Sequence, residues 1–242
     1  MNHLRITKDL PLYLGCKYSE RNRGWKMKNQ EKVRKYCVCQ KKAVTLRAFF
    51  YKNGKQERKV TIMTSIEVNG RVFDEYVSAQ KIAECVKKVA ERINTDYAGK
   101  KPLFICVLNG AFMYASDLFK QITLPAEITF VRLKSYEGTC STGEVQVLTG
   151  LSADVKGRDV IVVEDIVDTG LTMHGFIKYL KEQGANSVEI TSFLFKPDSL
   201  QHADAEPKYV GLSIPTKFVV GYGLDYDELG RNLPSLYVLR GN

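Results

Sequence analysis

The sequence holds no apolar run long enough to span a bilayer, no apolar leader at its N-terminus, no internal repeat and no low-complexity tract. Its six cysteines form no framework. Only Cys37 and Cys39 are close, and one intervening residue is too tight for the usual zinc-binding pair. Cys85 and Cys106 sit among apolar neighbours and read as core thiols, whereas Cys16 and Cys140 stand alone. These absences argue against a membrane protein and a disulfide scaffold, and predict a reducing, cytoplasmic setting. Histidine is scarce, with three in 242 residues. His174 and His202 have no Ser, Cys or His partner nearby in sequence, so neither is assigned catalysis.

Negative charge is scarce only at the start. Residues 1–62 carry 17 Lys and Arg against 4 Asp and Glu, a net of +13, and residues 63–242 have a net of −4. The whole-chain excess of +9 therefore belongs to the first quarter and does not make the remainder a nucleic-acid binder. Trp25, Phe49, Phe50 and Tyr51 lie in this quarter without a repeating apolar pattern. Two readings compete for it. One is a basic arm that touches nucleic acid or another anion. The other, favoured by the charge shift at Met63, is an extension outside the folded domain. The expected division is 1–62, a basic extension, and 63–242, the domain.

With 44% hydrophobic residues, the chain has enough for one domain with a real core. Asn69-Gly70 between short β-rich runs predicts a hairpin over 65–73 with a type I′ turn. Ser78 is placed to cap a helix whose apolar face is Ile82, Cys85, Val86, Val89 and Ile93. Strands are predicted at 103–108, 128–133, 145–148, 160–163, 188–195, 209–212, 218–220 and 236–239, with helices at 112–122 and after 170. Such alternation indicates an α/β fold: a central, mainly parallel sheet with helices on both faces.

Residues 160–172 are the most informative. Val160 to Val163 read as a strand buried on both faces; Glu164, Asp165 and Asp168 follow, and Thr169-Gly170-Leu171-Thr172 opens a helix carrying Phe176, Ile177 and Leu180. Ligands of open α/β sheets bind where strands end and helices begin. The helix N-terminus offers N–H groups and positive dipole to a phosphate, whereas the carboxylates suit sugar hydroxyls or a metal ion. A sugar phosphate satisfies both halves. The same spacing also fits a solvated acidic turn.

The segment Glu164 to Thr172 resembles the 5-phosphoribosyl 1-diphosphate (PRPP) motif of type I phosphoribosyltransferases. Val131 to Tyr136, with Ser141-Thr142-Gly143, resembles the mobile loop of the hypoxanthine-guanine branch, and Lys217 to Tyr226 resembles its purine-binding segment. The resemblance runs over about 66 to 240 and leaves out residues 1–62.

The resemblance implies the type I fold with a small hood subdomain, and purine salvage: transfer of the phosphoribosyl group from PRPP to N9 of hypoxanthine or guanine. It implies Mg2+ held by Glu164, Asp165 and Asp225, with Glu164 and Asp165 on the ribose hydroxyls. It gives Asp168 the role of general base toward N7, and Thr169, Gly170, Leu171 and Thr172 the ribose phosphate. Asn109, Gly110 and Arg231 fall on the pyrophosphate; where the family often has Lys or Arg, this chain has Asn109. Lys134, Ser135 and Tyr136 fall in the lid. Lys196 falls on the 6-oxo group, Phe218 on the base face and Val219 on the base edge, with Asp225 beside them. A homodimer or homotetramer is implied. The rivals are a xanthine-preferring enzyme and a PRPP- or nucleotide-sensing regulator that binds RNA.

Overall fold

The computed structural model describes residues 34–39, 42–49, 61–135, 145–149 and 151–241. Two compact units divide the chain, Met1–Ile66 and Glu67–Asn242. In the first unit β1 (Arg34–Cys39), β2 (Lys42–Phe49) and residues 61–65 of β3 (Thr61–Val68), a strand that runs on past Ile66, pair antiparallel in succession. Two of these strands fall where the sequence pattern predicts no element. Val38, Val44, Thr45 and Leu46 favour extended backbone one residue at a time, without the long alternation that makes a strand legible. Trp25, Phe50 and Tyr51 lie outside the described residues.

The second unit starts at a turn. Asn69 and Gly70 have φ of 47° and 75°, the paired positive values of the expected type I′ turn. Then follow β4 (Arg71–Val77), α1 (Ala79–Asp96), β5 (Leu103–Leu108), α2 (Phe112–Phe119), β6 (Glu127–Ser135), β7 (Val145–Thr149), β8 (Asp159–Val167), α3 (Leu171–Glu182), β9 (Ser187–Phe195), β10 (Tyr209–Ser213), β11 (Val219–Val220) and β12 (Leu236–Leu239). The main sheet has the order β10-β9-β8-β5-β6-β7. Its first five strands are parallel and β7 closes one edge antiparallel. A smaller antiparallel group, β4-β12-β11, supplies the hood.

Strand alternation distributes the core. In β5, Phe104 and Cys106 pack on one face with Ile82, Val86, Val89 and Ile93 of α1 and Tyr114 and Leu118 of α2. Leu103, Ile105 and Val107 pack on the other with Met173, Phe176, Ile177 and Leu180 of α3. Helices therefore cover both faces, and each fully buried large apolar side chain contributes ~1.5–3 kcal/mol. Cys85 and Cys106 are buried free thiols, as expected. Burial and the Glu164 and Asp165 charges push the Cys106 thiol up to about 12, so it is inert.

Ser78 caps α1, its Oγ accepting from Lys81 N–H at 3.3 Å. Two boundaries differ from the sequence pattern. The second helix ends at Phe119, not 122, because Asn94 of α1 captures the exiting chain: its Nδ2 donates to Gln121 O at 2.9 Å and its Oδ1 accepts from Thr123 N–H at 2.9 Å. Strand β8 runs past 163 to Val167 because β9 extends beside it, pairing Glu164 with Ser192 and Val167 with Phe195. Glu164 and Asp165 thus lie inside the end of a strand rather than in a loop, and Asp168 lies just beyond it.

Candidate active site

Glu164 and Asp165 sit at the C-terminal end of β8, both half-buried. Desolvation first, then the neighbouring Asp165 charge, pushes the Glu164 carboxyl well above the usual carboxylate range. Desolvation likewise raises Asp165 to about 6, against hydrogen bonds from the backbone and the nearby positive Arg231. Asp165 Oδ1 accepts from Ile166 N–H at 2.8 Å, whereas the buried Glu164 Oε2 has no hydrogen-bond partner. An unpaired buried oxygen next to a second carboxylate is costly unless a cation or a donor arrives.

The loop after β5 makes room for this pair. The Leu108–Asn109 peptide bond is cis. A Cβ on Gly110 would stand 1.5 Å from Asp165 Oδ2, so only glycine admits the carboxylate. Gly223, with φ 101°, packs as closely: a Cβ there would stand 2.0 Å from Gly110 O. Neither the Gly110–Asp165 contact nor the role of Gly223 is visible from sequence. The only signal for Gly223 is the Gly221-Tyr222-Gly223 spacing. Arg231 binds the same segment, donating from Nη1 to Gly223 O at 3.0 Å. Its Nη2 lies 2.8 Å from Asp225 Oδ1 and 3.1 Å from Glu228 Oε2. Its buried Nε has no partner. Gly110, Asp165, Gly223, Asp225 and Arg231 therefore form one polar cluster, joined by contact and charge.

A second group lies where β8 and β9 end. The Lys196 ammonium, whose side chain is 11% exposed, donates to Asp168 Oδ2 at 2.6 Å. Its backbone N–H donates to Val167 O at 3.0 Å, which fixes the residue to the strand end. Gly170 then opens α3 with φ 81°, a conformation that glycine adopts without strain. Gly170 has no side chain to cap this end, and only a long hydrogen bond, Leu171 N–H to Thr169 Oγ1 at 3.4 Å, reaches its first N–H, so the positive end of the helix dipole lies beside Thr169 and Thr172.

Phe218 precedes β11 and is 41% exposed, its ring 5.8 Å from Tyr226, edge to face, and 6.3 Å from Phe73. An open aromatic face held by two others suits stacking on a planar ligand. Val219 is buried, leaving its backbone for polar contacts.

Some expected residues are not gathered in this way. Lys134 and Ser135 belong to β6, paired across to Gln146 and Val145 of β7, rather than to a loop. The reason is that β7 returns alongside and extends the ladder. Tyr136 and Ser141-Thr142-Gly143 lie outside the described residues. Asn109 is exposed and offers no cation. The expectation for the histidines also needs correction. His174 and His202 stack with ring centroids 4.5 Å apart, and His174 Nδ1 lies 2.8 Å from Asp204 Oδ2. Twenty-eight positions of chain separate the two rings, and the turn after β9 folds back onto α3 to join them.

Residues 72–227 match the model of the phosphoribosyl transferase domain family. Hypoxanthine-guanine phosphoribosyltransferase of Staphylococcus aureus is 41% identical over 165 residues, covering 68% of this chain and 92% of that protein. The bifunctional protein TilS/HprT of Listeria monocytogenes is 39% identical over 165 residues, and the chain spans only 25% of its length. A crystal structure of a hypoxanthine phosphoribosyltransferase from Staphylococcus aureus superposes with a TM-score of 0.65 at 41% identity, covering 69% of this chain and 90% of that one.

Proposed function

The chain belongs to the phosphoribosyl transferase family, and from that membership we propose that it is a 6-oxopurine salvage enzyme. It transfers the phosphoribosyl group of PRPP to N9 of hypoxanthine or guanine, giving IMP or GMP and pyrophosphate. The single observation that carries the reading is the half-buried Glu164–Asp165 pair with one buried, unpartnered oxygen, three residues before the Asp168 that pairs with Lys196.

In this reaction positive charge grows on the ribose ring and negative charge on the departing pyrophosphate. Glu164 and Asp165 accept from the ribose hydroxyls and stabilise the ring charge. The N–H groups at the start of α3, with the Thr169 and Thr172 hydroxyls, bind the 5′-phosphate. Arg231 and the Asn109-Gly110 backbone face the pyrophosphate. Asn109 has no charge, so Arg231 carries more of that task than a site with a cation at both places would require. Lys196 donates to the 6-oxo group and selects against a 6-amino group. Phe218 stacks on the base, Val219 meets its edge through the backbone, and Asp168 takes the N7 proton. Lys134 and Ser135, at the end of β6, lead into the lid that excludes water, to which Tyr136 is assigned.

A magnesium ion fits the acids. Glu164, Asp165 and Asp225 offer hard oxygen donors, two of them destabilised as anions while unpaired. When bound, such an ion supplies positive charge to the sugar and pyrophosphate oxygens.

We further propose that residues 63–242 are the transferase domain, with the basic residues 1–62 outside its catalytic work, and that the enzyme assembles as a homodimer or homotetramer. No helix among the described residues is long and apolar enough to cross a membrane. A cytoplasmic location is proposed from the cysteine pattern. The decisive assay measures PRPP-dependent nucleotide formation base by base, with magnesium. Hypoxanthine or guanine should react and adenine should not. A strong preference for xanthine, or no turnover with any base, overturns the proposal.

A further inference from the structure

One cluster of metal-ligating side chains among the described residues belongs neither to the acid pair nor to the Lys196–Asp168 pair. His174 on α3 meets His202 and Asp204 on the turn after β9, and one donor atom from each lies within 4.8 Å of the other two. We propose that these three residues form a binding site for a divalent transition-metal ion of the zinc class. The ion would tie the 200–205 segment to α3.

The geometry supplies the reasons. His174 Nδ1 lies 2.9 and 2.8 Å from the two oxygens of Asp204. Without an ion, the nitrogen facing these two oxygens carries a proton. An ion would replace that proton and sit between Nδ1 and one Asp204 oxygen. The His202 ring lies 4.5 Å from the His174 ring at 19° to it, which brings a second imidazole to the same place. Imidazole and carboxylate donors suit zinc, nickel, cobalt or copper, whereas magnesium prefers oxygen and water. The side chains of His174 and Asp204 are 36% and 45% exposed, so an ion can enter from solvent and keep water in the remaining positions.

The backbone already closes this segment on α3. Gln201 N–H donates to Thr169 O at 2.9 Å, and a Cβ on Gly170 would stand 2.9 Å from Leu200 Cδ1 and 3.0 Å from Ala205 Cβ. Such a frame needs little rearrangement to present both rings to one ion. The proposal concerns binding alone and stands whatever base or sugar the enzyme uses.

The test titrates chelator-stripped full-length protein with cobalt(II) chloride, then displaces it with zinc. The expected result is one equivalent with visible d–d absorption and no thiolate charge-transfer band. That equivalent should be lost in both His174→Ala and His202→Asn, and unmoved by millimolar magnesium. His202→Asn alters only the exposed turn and carries the test if the α3 variant fails to fold. Turnover of both variants should be unchanged in magnesium with zinc absent. Equal cobalt binding in wild type and variants would place the ion on cysteines or on the acid pair and overturn the proposal. So would the absence of any binding, which would leave His174–Asp204 as a metal-free contact.

Discussion

Lys196 Nζ and Asp168 Oδ2 stand 2.6 Å apart, so the residue proposed to read the 6-oxo group and the residue proposed to accept the N7 proton are partners before any base arrives. The lysine is nearly buried and the aspartate 44% exposed at its side chain. A lysine in that position is strongly disfavoured without a counter-charge. A base reaching this pair would meet a donor and an acceptor already set by one another.

Lys196→Ala is expected to lower kcat/KM for hypoxanthine roughly 10- to 150-fold, the equivalent of a charge-assisted hydrogen bond of ~1.5–3 kcal/mol. The KM for PRPP should move far less. Adenine should remain a very poor substrate of the wild type. Steady-state kinetics with both bases checks this, and efficient adenine use by the wild type would remove the role given to Lys196.

Asp168→Asn keeps the shape and removes the proton acceptor. The expected loss in kcat is roughly 10²–10⁴, the usual range for a general base. Because the two side chains are in contact, the Lys196→Ala, Asp168→Asn double variant should lose less than the sum of the two single losses. Strict additivity in the double-mutant cycle would argue that the pair does not act as a unit.

Gly110→Ala should abolish turnover, because the new Cβ would occupy the place of Asp165 Oδ2, 1.5 Å from it. Either the carboxylate leaves or the backbone shifts, at ~1–3 kcal/mol. Gly99→Ala is the control: φ is 78° and nothing lies within 4 Å, so it should cost ~1 kcal/mol of stability and no activity. A Gly110→Ala enzyme with normal turnover would contradict the observed packing.

Asp165 predicts a pH dependence. Its ordinary pKa of 3.8 rises to about 6 in the folded chain, so the folded state keeps a proton that the unfolded state has lost between those values. Stability therefore falls as pH rises from about 4 to 6, and the full cost is present above 6. Asp165→Asn should be more stable than wild type at pH 8 by ~1–3 kcal/mol without divalent cations, and equal to it near pH 4. Urea unfolding in chelator at the two pH values measures the difference. Identical stabilities at pH 8 would refute the buried charge.

A chain starting at Met63 is expected to turn over PRPP and base like the full-length protein, although it lacks β1 and β2. Activity lost on truncation would assign residues 1–62 to the enzyme. RNA binding that weakens steeply with salt and disappears with the segment would instead support the basic arm.

The sequence by itself determined the layout of the second unit. Short continuous apolar runs such as Leu103–Leu108, too short for a helix and bounded by Pro102 and Asn109-Gly110, read as strands buried on both faces, and the Ser78 cap and Asn69-Gly70 turn are local devices that act through adjacent residues. It also placed Glu164, Asp165 and the α3 N-terminus together, because strand, acids and helix start are contiguous in the chain. Tertiary structure alone decided what depends on distant neighbours. The extension of β8 to Val167 follows from β9 alongside it. The demand for glycine at 110 comes from a carboxylate 55 positions later, and the meeting of His174 with His202 from a turn folding back on α3. The pairing of Lys196 with Asp168 belongs to the same class. Spacing encodes periodicity and local hydrogen bonds, but close approach between segments is set by packing of the whole sheet, which no short window of residues contains.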